Sequence, residues 1–420
     1  MVQVAARGPR LLPSLLRERR EFRRYWNGHT ISLFGDAVTL LALPLTAVLV
    51  LDAGPAQVGY LSAAGLIPNL LFSLHAGAWV DRRRNRRRIM IAADLGRAGL
   101  LATVPLAYVL GLLTLDQLYV VAFLAGTLSV LFVVADATLF VAITARDRYV
   151  EAMSLLYGSR ALSFVGGPSL AGFLVQLLSA PGALLADAAS FVASALCLGR
   201  ISPVEPPPEA GGRGSVRAGA RWIVHSPVIR ASLLSGATIN FFNLAFQPLF
   251  LVYATRTLGI RPGTLGVVLG SGAVGSVIGS LLADRLARRL GVGPAFILGS
   301  LLFTAPLLLV PLAGGTRTLV LALLFAARFG AGLGVMVLDI CIGSIFAATI
   351  PDRLRARVTG AYQAVNYGVR PLGSVFGGLL ATAIGLRPTL WIVTAGAVLG
   401  VLWLLPAPVS RLRTLPDAPE

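Results

Sequence analysis

Apolar stretches of roughly 20 residues recur along the chain from Trp26 to Leu405, parted by short polar or Gly/Pro-containing breaks. A helix needs about that length to cross the hydrocarbon of a bilayer. Spans are predicted at about 27–51, 57–79, 89–113, 117–143, 152–178, 183–200, 228–253, 263–283, 292–313, 318–349, 358–384 and 388–407. They divide six and six around 201–227, where Pro203, Pro206, Pro207, Pro208, Gly211, Gly212 and Gly214 crowd together. That stretch then turns basic and amphipathic through Arg217, Arg221 and Trp222. It reads as a cytoplasmic linker followed by a short surface helix with its indole at the interface. The predicted architecture is an all-α membrane protein of twelve transmembrane helices in two pseudo-symmetric six-helix bundles, 27–200 and 228–407. A basic segment (1–26) precedes them, the linker (201–227) joins them and a tail (408–420) follows.

Composition agrees. The chain is 56% hydrophobic and 13% charged, where a soluble domain carries about 25% charged residues. The net charge of +18 raises nucleic acid as a partner, but its distribution argues for topology instead. All the basic residues are arginines; twenty-nine fall in the N-terminal segment, alternate loops and tail, against Arg256, Arg261, Arg317 and Arg387 in the opposite loops. By the positive-inside rule both termini are cytoplasmic, in a multi-pass protein of the inner or plasma membrane. The first 24 residues hold seven arginines and no separate apolar core before a small-residue site, so no signal peptide is expected. Cys197 and Cys341 fall within spans and read as packing residues. A chain without lysine has no G-x-x-x-x-G-K-[ST] loop, which excludes an ATP motor of that kind. His29, His75 and His225 are scattered without a carboxylate cluster, so neither a metal nor another cofactor is expected. No nucleophile–base constellation suggests an enzyme.

The halves repeat in one orientation. Asp81-Arg82 recurs as Asp284-Arg285 and Asp136 as Asp339, while Tyr157-Gly158-Ser159-Arg160 recurs as Tyr367-Gly368-Val369-Arg370. Asp36 and Pro44 in the first span match Asn240 and Pro248 in the seventh, each 204 residues on. An ionisable group inside a span is costly and marks function, and here only the earlier copy keeps the acid. Asp36 has no arginine on its own helix within two turns. It reads as a proton-coupling carboxyl or, alternatively, as a satisfied polar group paired, for instance, with Arg160. Asp136 with Arg160, and Asp339 with Arg370, lie at similar depth on consecutive antiparallel spans. They read as intramembrane ion pairs fixing two hairpins, or as contacts that exchange partners as the halves move. Asp94 and Arg97, spaced i, i+3, read as a local pair. Phe34, Thr39, Asn240, Phe241, Asn243, Gln247 and Arg328 are candidates to line a central cavity.

The loop after the second span reads Gly77-Ala-Trp-Val-Asp81-Arg82-Arg83-Arg84-Asn85-Arg86-Arg87-Arg88. It resembles the G-x-x-x-D-R-x-x-R-R signature of major facilitator superfamily transporters, in the loop where that family carries it. Gly77 permits close helix contact and Asp81 suits a neighbouring helix N-terminus. The resemblance implies a conformational latch of Gly77, Asp81 and Arg82, with a weaker copy at Asp284 and Arg285, where Ser280 replaces the glycine. Gly158, Gly167, Pro168 and Gly172 in the fifth span are similar to the G-P-x-x-G-G motif of the family's drug:proton antiporters. Asp36-Ala-Val-Thr39…Pro44 resembles the D-x-T…P motif of proton-driven exporters, with one residue fewer before the proline. Arg328-Phe-Gly-Ala-Gly332 is similar to an R-x-x-x-G element that the family carries in span four. Asp94-Leu-Gly-Arg97 and Leu354-Arg355-Ala-Arg357-Val-Thr-Gly resemble the siderophore-exporter and macrolide-efflux branch. Parallel six-span repeats fit that superfamily. The resemblance implies a monomeric secondary transporter that exchanges protons for a bulky hydrophobic small molecule, such as a drug, macrolide or siderophore-like compound, by alternating access. Nutrient symport, or a receptor or scaffold that kept the fold and lost transport, are the alternatives.

Overall fold

A computed structural model describes residues 14–81, 83, 85–202 and 216–413. Twelve long helices follow one another: α1 (Arg20–Leu49), α2 (Pro55–Asp81), α3 (Arg86–Val109), α4 (Leu115–Ile143), α5 (Tyr149–Leu178), α6 (Ala180–Gly199), α7 (Pro227–Thr257), α8 (Pro262–Leu290), α9 (Val292–Leu312), α10 (Arg317–Thr349), α11 (Asp352–Ile384) and α12 (Leu386–Trp403). Ten of them are long and apolar enough to cross a membrane among the described residues; α2 and α11 complete the set. Residues 203–215 of the linker lie outside the described residues, and the basic, amphipathic stretch that follows them forms the helix Val216–His225. Ile223 is buried and Trp222 half-buried against α11 and its neighbours.

The packing repeats. α1 lies on α5 and α6 as α7 lies on α11 and α12, and α2 and α3 lie on α4 as α8 and α9 lie on α10. The halves meet through α2 against α11 and α5 against α8. Small residues let backbones approach at such crossings. A methyl group on Gly172 of α5 would stand 2.9 Å from the Cα of Gly266 on α8. Side chains on either glycine would hold the halves apart.

The buried apolar residues gather in three clusters. One, running from Val38 to Val393, occupies the end opposite the termini and draws on both halves. The other two lie at the termini end, one within each half. Hydrogen bonds joining the halves gather at the far end too: Gly263 N donates to Gln176 Oε1 at 3.1 Å, and Arg256 donates to Val48 O at 3.0 Å and pairs with Asp52. The molecule is thus closed at the far end, while at the termini end each half keeps its own core.

Candidate functional site

In α1, His29, Ser32, Leu33 and Asp36 recur at i, i+3, i+4 and i+7, the spacing that puts four side chains on one helix face. That face lines a cavity of about 330 Å³ with Arg97 of α3 and Ser129, Phe132, Val133 and Asp136 of α4. A second cavity, about 320 Å³, lies at the termini end among Trp79, Arg83, Asn85, Arg88 and apolar residues of α3 and α4. Arg83 stacks on Trp79 there, 4.8 Å from the ring centre. The α1 cavity is lined by two carboxyls, a guanidinium and an imidazole drawn from α1, α3 and α4; among the described residues the other is lined by no acid. The titratable side chains thus gather at the α1 cavity.

Asp36 is the exposed acid of that wall, its side chain 50% accessible, and its Oδ1 stands 3.7 Å from Arg97 Nη1. Arg97 is buried, and its guanidinium serves several helices at once. Its Nη2 bonds Asp94 on the same helix, and Nη1 reaches Ser129 Oγ of α4 at 3.3 Å. Phe191 of α6 and Phe132 of α4 flank it, with ring centres 3.9 and 4.8 Å from Cζ. A guanidinium held by aromatic faces and a buried carboxylate is fixed in place. Asp36 takes the remaining, water-facing side.

Thr39, a candidate for the cavity, points instead to α6, where its hydroxyl donates to Asp187. Asp187 is a further intramembrane acid that the pattern reading passed over, although its run Leu184-Leu-Ala-Asp187-Ala-Ala is apolar on both sides. The i, i+3 pair of Asp94 and Arg97 is present, but Arg97 is no mere local partner. Grouping it with the loop arginines hid a buried cation that reaches across the helix bundle.

The two expected hairpin ion pairs are not formed. Asp136 accepts from Tyr25 Oη at 2.7 Å, and Tyr25 in turn stacks on His29 with ring centres 5.9 Å apart. Arg160 is exposed and pairs with neither Asp136 nor Asp36. Arg370 donates from Nε to Asn240 Oδ1 at 3.1 Å and lies over Tyr367, while no ion pair within 4 Å joins it to the exposed Asp339. Similar depth along two helices does not fix azimuth, and these side chains turn to different neighbours.

The repeat register also shifts. The bond from Ser163 Oγ to Leu33 O recurs as Ser374 Oγ to Leu244 O, 211 residues on. In this register Asn240 is the counterpart of His29, two helical turns from Asp36, and the position matching Asp36 is Gln247. It too is neutral, so the charge asymmetry between the halves stands.

A family described as transmembrane secretion effector matches residues 15–418. The chain belongs to that family of major facilitator transporters. It is 27% identical over 399 residues to the multidrug efflux pump Tap of Mycolicibacterium fortuitum, covering 91% of this chain and 93% of the pump. The Tap pump of Mycobacterium tuberculosis is 25% identical over 416 residues, 92% of each chain. Among solved structures, a bacterial homologue of the iron transporter ferroportin in its inward-facing state superposes with a TM-score of 0.74 at 17% identity, over 94% of this chain and 99% of the homologue. The nucleoside transporter NupG gives 0.70 at 13% identity, over 92% and 98%. These likenesses carry the fold.

The motif residues of the transporter fold fall at several places. Gly77 and Asp81 lie in the last turns of α2, and Arg82 lies outside the described residues. Asp284 pairs with Arg288 one turn on, and Arg285 is exposed. Gly167 packs against Ala37 of α1, and the carbonyl of Pro168 and Gly172 meet Gly266 of α8, whereas Gly158 faces open space. Phe34 lies near Gly166. Phe241 forms an aromatic cluster with Phe242 and Phe376. Asn243 and Gln247 are half-buried on α7. Arg328 lies 5.6 Å from the Phe250 ring centre, with its buried Nε unbonded.

Proposed function

We propose that this transporter exports bulky hydrophobic small molecules in exchange for protons, with Asp36 as the coupling acid. The observation that carries the reading is the half-exposed carboxyl of Asp36 at the edge of the α1 cavity, tied to a fixed guanidinium by one contact. When Asp36 is ionised, Arg97 holds it. When a proton neutralises it, Arg97 keeps Asp94 and the grip on α1 loosens. Proton occupancy and the position of α1 are thereby linked, as exchange requires. Substrate and proton compete for one wall, and the two halves rock about it.

The far end, closed in this arrangement, would face outwards, with both termini in the cytoplasm as the arginine distribution implies. The names of the Tap pumps support export over uptake, and the apolar lining of Leu33, Phe132 and Val133 supports a hydrophobic cargo.

The test is accumulation of fluorescent hydrophobic dyes in cells with and without the chain. Wild type lowers dye content; Asp36→Asn, expressed to the same level, raises it at least tenfold towards that of cells lacking the chain. Equal efflux by Asp36→Asn would remove Asp36 from the mechanism.

A further inference from the structure

Asp187 lies behind the cavity wall. It is 0% exposed, and its carboxyl accepts from two hydroxyls, Thr39 of α1 and Ser190 of its own helix, the latter at 2.9 Å. A methyl group on Gly35 would collide with Asp187 Oδ1. The missing side chain beside Asp36 is what admits this carboxyl against the α1 backbone. The charged groups facing it are Asp36 from α1 and Arg97 from α3, and α5 supplies it with no ion pair. Arg97 is spent on Asp94 and Asp36. One guanidinium thus pairs with two carboxyls and forms no ion pair within 4 Å with Asp187, and the buried Oδ2 of Asp94 has no donor.

A fully buried carboxylate whose only hydrogen-bond donors are neutral hydroxyls is expensive, and a carboxylic acid in the same place is far less so. Two acids flanking one helical residue add mutual repulsion when both are ionised. We propose that Asp187 is a second proton-binding carboxyl of the exchange cycle, holding its proton in the arrangement seen here and passing it on through Asp36. The inference rests on the proton-coupled reading of the cavity and deepens it to two protons per cycle. Asp36 first gives its own proton to cavity water. The O–H bond on Asp187 then breaks as α1 shifts on α6, the electron pair stays on the Asp187 oxygen, and the proton moves to an Asp36 carboxylate oxygen and on to water. Thr39, bonded to Asp187 one turn from Asp36, couples the two.

Infrared difference spectroscopy of the full chain in lipid, without substrate, reads this directly. At neutral pH wild type should show the C=O stretch of a protonated carboxyl that is missing in Asp187→Asn and kept in Asp36→Asn. Thr39→Val retains both acids and should move that band to higher frequency, because the bonded hydroxyl is gone; it carries the test if Asp187→Asn does not fold. A band unchanged in Asp187→Asn, or one that Thr39→Val leaves in place, would overturn the proposal. Failure of the exporter reading shows elsewhere, as dye accumulation indifferent to Asp36→Asn while the band assignment holds.

Discussion

Arg97 joins more of the site than any other single side chain. It answers Asp94 at depth and Asp36 at the surface of the cavity, between two aromatic rings. Removing it leaves Asp94, 0% exposed, without a cation. Breaking a buried pair from one side costs about 3–5 kcal/mol. Arg97→Gln should therefore lower the denaturation midpoint of the purified protein strongly. Asp94→Asn combined with Arg97→Gln should recover most of that loss, since no charge is then stranded. Denaturation of wild type, Asp94→Asn, Arg97→Gln and the double variant in detergent checks it, and a double variant no better than Arg97→Gln would show that the pair is not the unit. At this scale the sequence was only partly readable. Asp36 announced itself as an acid in an apolar run, and so could Asp187 have done. What spacing could not tell is that Arg97 turns towards α1, because i, i+3 spacing accounts for one partner of a guanidinium with five donors.

At the scale of helices, reading the apolar runs placed all twelve elements, and the differences lie at the ends. The first span was expected to begin near 27, but α1 starts at Arg20, and the eleventh begins at Asp352 instead of 358. Hydropathy marks where lipid begins, whereas charged residues such as Arg20, Glu21 and Arg355 continue a helix into the interface at little cost. Azimuth was the harder quantity. A helix face repeats every seven residues, so a register two turns off keeps the same face and the same apolar pattern. That is how Asn240, rather than Gln247, came to be matched with Asp36. The Gly172–Gly266 crossing belongs to this scale as well. Gly172→Leu drives a side chain into α8 backbone, and overpacking of this kind costs about 1–3 kcal/mol. The variant should lose transport while remaining in the membrane, and cysteines placed at 176 and 263 should no longer cross-link. Undiminished cross-linking would mean that the halves do not need this approach.

At the scale of the molecule, two bundles share one core at the far end and keep separate cores at the other. The ion pair of Arg256 with Asp52 adds to that closure, although Asp52 is 93% exposed. An exposed pair contributes about 0–1 kcal/mol, so Arg256→Gln should shift the balance of open and closed far ends by no more than about fivefold. Cysteine accessibility at position 48 reads it, and Asp52→Arg with Arg256→Asp should restore the wild-type value. The duplicated six-helix plan was legible from the repeated Asp-Arg and Gly-x-Arg phrases. The closed end was not, since a conformational state depends on how whole bundles lean, and each local pattern is the same in every state.

The most direct measurement of the central claim is transport into proteoliposomes with and without an imposed pH gradient, comparing wild type with Asp36→Asn. The account predicts that the gradient accelerates wild type, and that Asp36→Asn still equilibrates substrate but no longer responds to pH. A response of Asp36→Asn equal to that of wild type would contradict it.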